Sequence, residues 1–181
     1  ISPEFEGYEY GYALSLHAEH QTEDELRLTQ QGLSKNPFDT RLLLLASQLS
    51  YELHDEQKAE DYLLKAKDNA EDLEEIALRL SNLYLEQERF DEVLEFEEQD
   101  IDNVLTKWNI ARAYQALEQT TAALERYRLL LSDLKENPEF LEQYIYLLRE
   151  MGDFEEAKHQ AEHYLHLVPD DVEMQELYDS L

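Results

Sequence analysis

Residues 138–169 read PEFLEQYIYLLREMGDFEEAKHQAEHYLHLVP, and this stretch decides the fold. Apolar residues recur at helical spacing from Phe140 to Leu148, a polar break follows at Gly152, and a second amphipathic run ends at Leu167. Apolar side chains that are three and four residues apart share one face of an α-helix. The stretch therefore predicts two helices joined by a short turn.

The same pattern occurs upstream at a regular interval. A step of 34 residues separates Glu6 from Thr40, Thr40 from Glu74, and Val104 from Pro138, whereas the step from Glu74 to Val104 is 30 residues. In this shorter interval we expect the second helix, at about residues 90–98, to have lost a turn. The interval predicts five repeats followed by a closing helix at residues 172–181; the repeats are 6–39, 40–73, 74–103, 104–137 and 138–171.

A helix hairpin repeated every 34 residues resembles the tetratricopeptide repeat (TPR). The last repeat matches best, with Gly152, Phe154, Ala157 and Pro169 at its 15th, 17th, 20th and 32nd positions. The eighth position, where small side chains let two helices approach closely, is small in four repeats, with Ile145 as the exception: Ala13, Ser47, Ser81 and Ala111. The first repeat departs from the pattern at its 20th position, which is Glu25. The resemblance implies an all-α fold, a right-handed superhelical array of antiparallel helix hairpins (an α-solenoid).

Composition restricts the classes of partner. The chain has 43 acidic and 15 basic residues, a net charge of −28, which would repel nucleic acid and anionic membranes. Apolar residues make up 43%, enough for a core, but no apolar run is long enough to span a bilayer. Cysteine is absent, which excludes disulfides and leaves the compartment open; we expect a cytoplasmic protein. We interpret residues 1–5, Ile-Ser-Pro-Glu-Phe, as a cloning remnant and the chain as a piece of a longer protein.

No constellation of residues indicates catalysis or a cofactor, so we expect a protein that is not an enzyme. His159, His163 and His166 recur at helical spacing, and a metal site is the functional interpretation of that spacing. A His-rich polar face is the simpler interpretation, and we favour it because no second ligand cluster accompanies the histidines. The acidic stretch 86–102 is either a surface for a basic partner or a solvated face, and we again favour the second interpretation.

The resemblance implies that the first helices of successive repeats line a concave groove. Eight residues fall at positions that commonly face such a groove: Arg41, Gln48, Arg79, Asn82, Asn109, Arg112, Tyr146 and Arg149. Arginine holds a carboxylate with two parallel hydrogen bonds, so one interpretation is a track for an acidic segment. The other is that each arginine pairs with a nearby acid, such as Arg149 with Glu142 or Glu150. Trp108 falls at a packing position in one register and faces the groove in the next, and we favour packing.

One subset of TPR proteins binds acidic C-terminal tails of chaperones through a clamp of two asparagines and three basic residues. Asn82 and Asn109 match the asparagines, but the basic positions are Leu78, Glu139 and Gln143. We therefore reject that ligand.

The favoured function is a scaffold or adaptor that binds a protein or peptide segment, carrying acidic side chains, in the concave groove. The alternative is a structural or self-association module of a longer multi-repeat protein, with no peptide in the groove. Exposed apolar residues at the ends of the array would favour the alternative, and Tyr8, Tyr10 and Tyr12 are candidates.

Overall fold

The computed structural model describes residues 22–99 and 101–181, and within these ranges the chain forms α-helices and no β-strand. The predictions for Ala13, the three N-terminal tyrosines and the cloning remnant lie outside the described residues. The described helices are α1 (Thr22–Lys35), α2 (Thr40–Glu52), α3 (Glu56–Lys67), α4 (Glu74–Glu86), α5 (Phe90–Leu94), α6 (Val104–Ala116), α7 (Thr120–Leu134), α8 (Pro138–Glu150), α9 (Phe154–Leu167) and α10 (Val172–Ser180).

Four helices begin at the residues that open the predicted repeats: Thr40, Glu74, Val104 and Pro138. Side-chain caps explain three of these starts. Asp39, Asn103 and Asn137 each accept hydrogen bonds from backbone N–H groups in the first turn of the helix that follows. At α8, Pro138 adds a fixed φ at a position whose N–H has no partner within the helix. The division into five repeats remains a prediction.

Asp153 and Glu156 have the spacing of a capping box, but the turn between α8 and α9 does not contain one. Asp153 precedes α9, but its side chain makes no capping hydrogen bond. Its Oδ2 instead accepts a 2.8 Å hydrogen bond from Arg128 of α7. The carboxylate of Asp153 thus pairs with a guanidinium from another helix and does not cap α9.

The chain divides into two compact bodies between Gln87 and Glu88. The N-terminal body contains α1–α4, and its core is built largely from leucines of α2, α3 and α4. The C-terminal body contains α5–α10 around an aromatic-rich core that includes Tyr127, Phe140 and Tyr144. The predicted repeat 74–103 is thus divided, with α4 in the first body and α5 in the second.

Close helix crossings explain the small residues of the pattern. At the eighth position Ser47, Ser81 and Ala111 are buried, and at the 20th position Ala59 and Ala123 are buried as well. Ile145 and Glu25, which depart from the pattern, are buried too. The 8th and 20th positions are thus buried between helices, as the repeat pattern predicts.

The turn that follows each of the helices α2, α4, α6 and α8 contains a residue with positive φ at the 15th position of its repeat. These residues are His54, Glu88, Glu118 and Gly152, with φ of 60°, 57°, 57° and 77°. In each case the α-helix ends just before this residue, because a left-handed residue reverses the chain direction. Only Gly152 has the residue type that this conformation prefers.

The expected shortening of one second helix takes a specific form. α5 has only five residues, and the chain continues as a 3₁₀ turn over Glu95–Glu98 instead of further α-helix. A short link then leads to Asn103, the N-cap of α6. Throughout the described ranges, no helix is both long enough and apolar enough to cross a membrane.

Candidate functional site

A cleft of about 210 Å³ lies in the N-terminal body, between the first helices α2 and α4. Ser47 and the α3 residues Ala59 and Leu63 form its inner wall, where small side chains leave room between the helices. Its polar lining includes three of the predicted groove residues together with Tyr51 and Glu86; the three are Gln48, Arg79 and Asn82.

Hydrogen bonds fix the polar side chains of this cleft. Arg79 donates from Nη2 to Glu75 Oε1 at 2.6 Å and from Nη1 to the backbone oxygen of Leu44 at 3.4 Å. The Tyr51 hydroxyl donates to Glu86 Oε2 at 2.6 Å, and this bond raises the pKa of Tyr51 above its ordinary value. The guanidinium of Arg79 is therefore held in place with its charge already compensated by Glu75.

Arg41 lies at the start of α2 and is highly exposed. Its Nη2 lies 3.3 Å from Oδ2 of Asp39, the N-cap residue of the same helix. Gln48, about two turns further along α2, donates to Glu52 at 3.1 Å. In the N-terminal body, both arginines of the predicted track thus have an acidic partner close in sequence.

In the C-terminal body, Trp108 and Arg112 of α6 form a stacked pair. Trp108 is buried against Phe140, with ring centroids 5.8 Å apart, so it packs as the sequence interpretation favoured. The guanidinium of Arg112 lies 5.7 Å from the centre of the indole ring, and its Nη1 contacts Asn109 Oδ1 at 3.5 Å. Asn109 is itself buried, unlike the exposed groove position that the sequence suggested.

Tyr146 and Arg149 lie on exposed positions of α8. The local pair that the sequence suggested, between Arg149 and Glu142 or Glu150, does not form in the described part of the chain. All eight arginines lie within the described ranges, and six of them contact a carboxylate at 3.3 Å or less: Arg27, Arg41, Arg79, Arg89, Arg126 and Arg128. Within residues 22–99 and 101–181, Arg112 and Arg149 are the two without an acidic partner.

Comparison with known proteins agrees with the helical-repeat fold. Residues 105–171 match the family model of YpiA-like, C-terminal tetratricopeptide repeats. The structure of TTC0263, a thermophilic TPR protein of Thermus thermophilus, is similar over 97% of both chains, with a TM-score of 0.60 and 18% identity. Residues 105–171 are therefore tetratricopeptide repeats, and the chain has the TPR fold.

Two further structures have the same fold. YrrB, a TPR protein with an unusual peptide-binding site, gives a TM-score of 0.69 at 13% identity, over 93% of this chain and 89% of YrrB. MamA 41-end from Desulfovibrio magneticus RS-1 gives 0.75 at 13% identity, over 92% of this chain and 97% of MamA. No curated protein sequence matches the chain. Likeness at this identity establishes the fold alone.

Sequence reasoning considered Gln143 of α8 only as a ligand-clamp position and missed its hydrogen bonds to buried aromatic residues. Its Oε1 lies 3.2 Å from Trp108 Nε1 and 2.9 Å from the hydroxyl of Tyr127. That hydroxyl also lies 3.2 Å from Oε1 of Gln115. Burial raises the pKa of Tyr127 to about 12. No local signal marked this contact, because Trp108 and Gln143 are 35 residues apart in sequence.

The histidines of α9 are not gathered into a ligand set. Nε2 of His163 lies 2.9 Å from the backbone oxygen of Lys135, while His159 and His166 are exposed. Across the part of the chain that the structure describes, no group of three or more His, Asp or Glu side chains is placed to hold a metal ion. His17 and His20 lie outside that part.

Proposed function

We propose that this protein is a non-catalytic scaffold that binds an extended segment of a partner protein along its first helices. The cleft between α2 and α4 carries the proposal, because fixed polar side chains surround a space with an apolar floor. Binding sites of this kind combine an apolar lining with a few placed polar groups. The likeness in fold to YrrB, a TPR protein with an unusual peptide-binding site, supports the same class of ligand.

The cleft of the N-terminal body suits a peptide main chain. The amides of Gln48 and Asn82 offer both donors and acceptors, which match the C=O and N–H groups of an extended segment. Glu75 already compensates the charge of Arg79, so this cleft gains little from a carboxylate in the ligand. Recognition here therefore depends on hydrogen bonds and shape.

Carboxylates of the partner bind in the C-terminal body, at Arg112 and Arg149. The hydrogen bond between Trp108 and Gln143 joins α6 to α8, the two helices that carry these arginines. Both guanidinium groups lack an acidic partner in the described ranges, so in a chain of net charge −28 they are the cations best suited to bind a carboxylate of the partner. Tyr146, which is exposed on α8 three residues before Arg149, adds an aromatic surface.

The test starts with selection of linear peptides from a random phage-displayed library on the immobilised chain. Affinity is then measured by fluorescence anisotropy and by the emission of Trp108, the one tryptophan of the chain, which lies under Arg112. We expect selected peptides to carry Asp or Glu. Substitution of Arg112→Gln together with Arg149→Gln should raise the Kd at least tenfold, while Arg27→Gln, an exposed control on α1, should leave it unchanged.

A second pair of substitutions tests the N-terminal cleft separately. Gln48→Ala with Asn82→Ala should weaken peptides that bind the N-terminal cleft, without a change in the preference for acidic residues at Arg112 and Arg149. Equal affinity for the wild-type chain and for both double variants would contradict the proposal. Failure to select any peptide, together with concentration-dependent self-association in sedimentation, would instead favour the structural module.

A further inference from the structure

A second cleft, of about 200 Å³, lies in the C-terminal body beside α7, and we name it the α7 cleft. The 3₁₀ turn and link that follow α5 form one side of it, and α6 and α7 form the other. Its buried apolar lining consists of Phe96, Ile101, Ile110 and Leu130. Leu129 on its rim is 75% exposed, more than any other large apolar side chain of the described ranges.

The shortened second helix explains why this cleft exists. A helix of ordinary length would continue past Leu94, but the chain leaves the helical path there and forms the 3₁₀ turn. The surface of α7 around Leu129 is therefore left exposed to water. A cavity of roughly 150 Å³ accommodates a benzene ring, so the α7 cleft is large enough for one large apolar side chain.

The cations that line the α7 cleft are already engaged. Lys107 Nζ lies 2.5 Å from Asp102 Oδ1, and Arg126 Nη2 lies 2.5 Å from Glu97 Oε1. An adjoining depression of about 690 Å³ shares Glu97 and Gln99 with the cleft and is also lined by Glu95 and Glu98. Neither of these two glutamates forms an ion pair with a residue in 22–99 or 101–181. The remaining charge beside the cleft is thus negative.

We propose that the α7 cleft binds a partner segment in which one large apolar side chain is flanked by lysine or arginine. The apolar side chain enters the cleft beside Leu129, and the basic residues lie against Glu95 and Glu98. A second copy of this chain is a poor occupant, because each copy carries a net charge of −28 and like charges across an interface are unfavourable. This ligand differs in charge and location from the acidic segment proposed above, so either proposal can fail alone.

The probe is a fluorescein-labelled peptide, Lys-Lys-Leu-Phe-Lys-Lys, titrated with the full chain and followed by anisotropy at physiological salt. Two further peptides separate the contributions: Lys-Lys-Ser-Ser-Lys-Lys keeps the charge, and Glu-Glu-Leu-Phe-Glu-Glu keeps the apolar pair. The first should bind at least tenfold more tightly than either of the others. Equal binding of the Ser-containing peptide would reduce the interaction to non-specific charge attraction and overturn the proposal.

Variants locate the binding. Leu129→Ser should weaken the first peptide at least tenfold, whereas Val172→Ser, at a similarly exposed apolar residue of α10, should not. The pair Glu95→Lys and Glu98→Lys should weaken it as well, and Glu173→Lys with Glu176→Lys makes the same change in net charge elsewhere. Equal effects of the test and control variants would overturn the proposal. So would a dimer, detected by sedimentation, that dissociates in the Leu129→Ser variant, since it would identify a second copy as the occupant.

Discussion

Nε1 of Trp108 donates a 3.2 Å hydrogen bond to Oε1 of Gln143, and this bond joins α6 to α8. The hydroxyl of Tyr127 on α7 donates to the same oxygen at 2.9 Å. Trp108 and Tyr127 are both buried, so neither donor has ready access to water. One amide oxygen therefore satisfies aromatic donors from two other helices, and it holds α6, α7 and α8 in register.

Gln143→Leu should destabilise the C-terminal body by about 1–3 kcal/mol, because it leaves the buried Trp108 N–H without an acceptor, whereas the Tyr127 hydroxyl keeps Gln115. The measurement is urea unfolding followed by the fluorescence of Trp108, which reports on this body. Gln175→Leu is the matched control, since Gln175 is exposed and bonds only to Asp179 in its own helix. If the free energy of unfolding falls no more in the Gln143 variant than in the control, water replaces the amide oxygen as the hydrogen-bond acceptor.

Glu118→Gly should stabilise the C-terminal body by about 0.5–1 kcal/mol. A non-glycine residue with φ near 57° destabilises the folded state by about 1–2 kcal/mol, and glycine removes this strain. Glycine also raises the conformational entropy of the unfolded chain, which offsets part of the gain. Gly152→Ala, at the corresponding position of the turn after α8, should destabilise the C-terminal body. No heavy atom lies within 4 Å of an added Cβ there, so its cost is that of the backbone alone. Thermal unfolding of both variants checks the pair, and effects of equal sign would contradict this account of the turn.

Asn137→Ala should cost about 1 kcal/mol, because Asn137 Oδ1 accepts the N–H of Phe140 and caps α8. Asp153→Ala should cost less, since it loses an exposed pair with Arg128 and no cap. Chemical denaturation of the two single variants under identical conditions makes the comparison. A larger loss for Asp153 would show that its carboxylate caps α9 in solution.

The stability of the C-terminal body should fall as pH rises from about 10 to about 12. Burial raises the pKa of Tyr127 from 10.0 to about 12, so the folded state holds this proton more tightly than the unfolded state. The stabilisation is therefore complete below pH 10 and is lost as pH rises through the folded pKa. Urea midpoints of the wild-type chain and of Tyr127→Phe should be compared at about pH 9 and about pH 11.5, on either side of the unfolded pKa. A difference between the two proteins that does not change with pH would contradict the shift.

Local sequence determined the hairpins. The apolar residues of α8 and α9 follow a helical period, and Asn137 with Pro138 marks a start through the capping group and fixed φ of two adjacent residues. Each of these signals acts within one or two turns of the chain. Arg79 pairs with Glu75, four residues earlier, which agrees with the local-pairing alternative for the groove arginines, although this pair was not itself predicted from the sequence.

Tertiary structure decided the partners that lie far apart in sequence. Asp153 bonds to Arg128, 25 residues away, in place of a cap, and Gln143 meets an indole 35 residues away. The suggested local partners of Arg149 do not contact it, although their spacing allowed an ion pair. Helix spacing shows which side chains share a face, but packing between helices decides which of them meet. For this reason the chain's sequence identified the TPR fold, whereas only the packed structure distinguished compensated arginines from open ones and revealed the cleft beside α7.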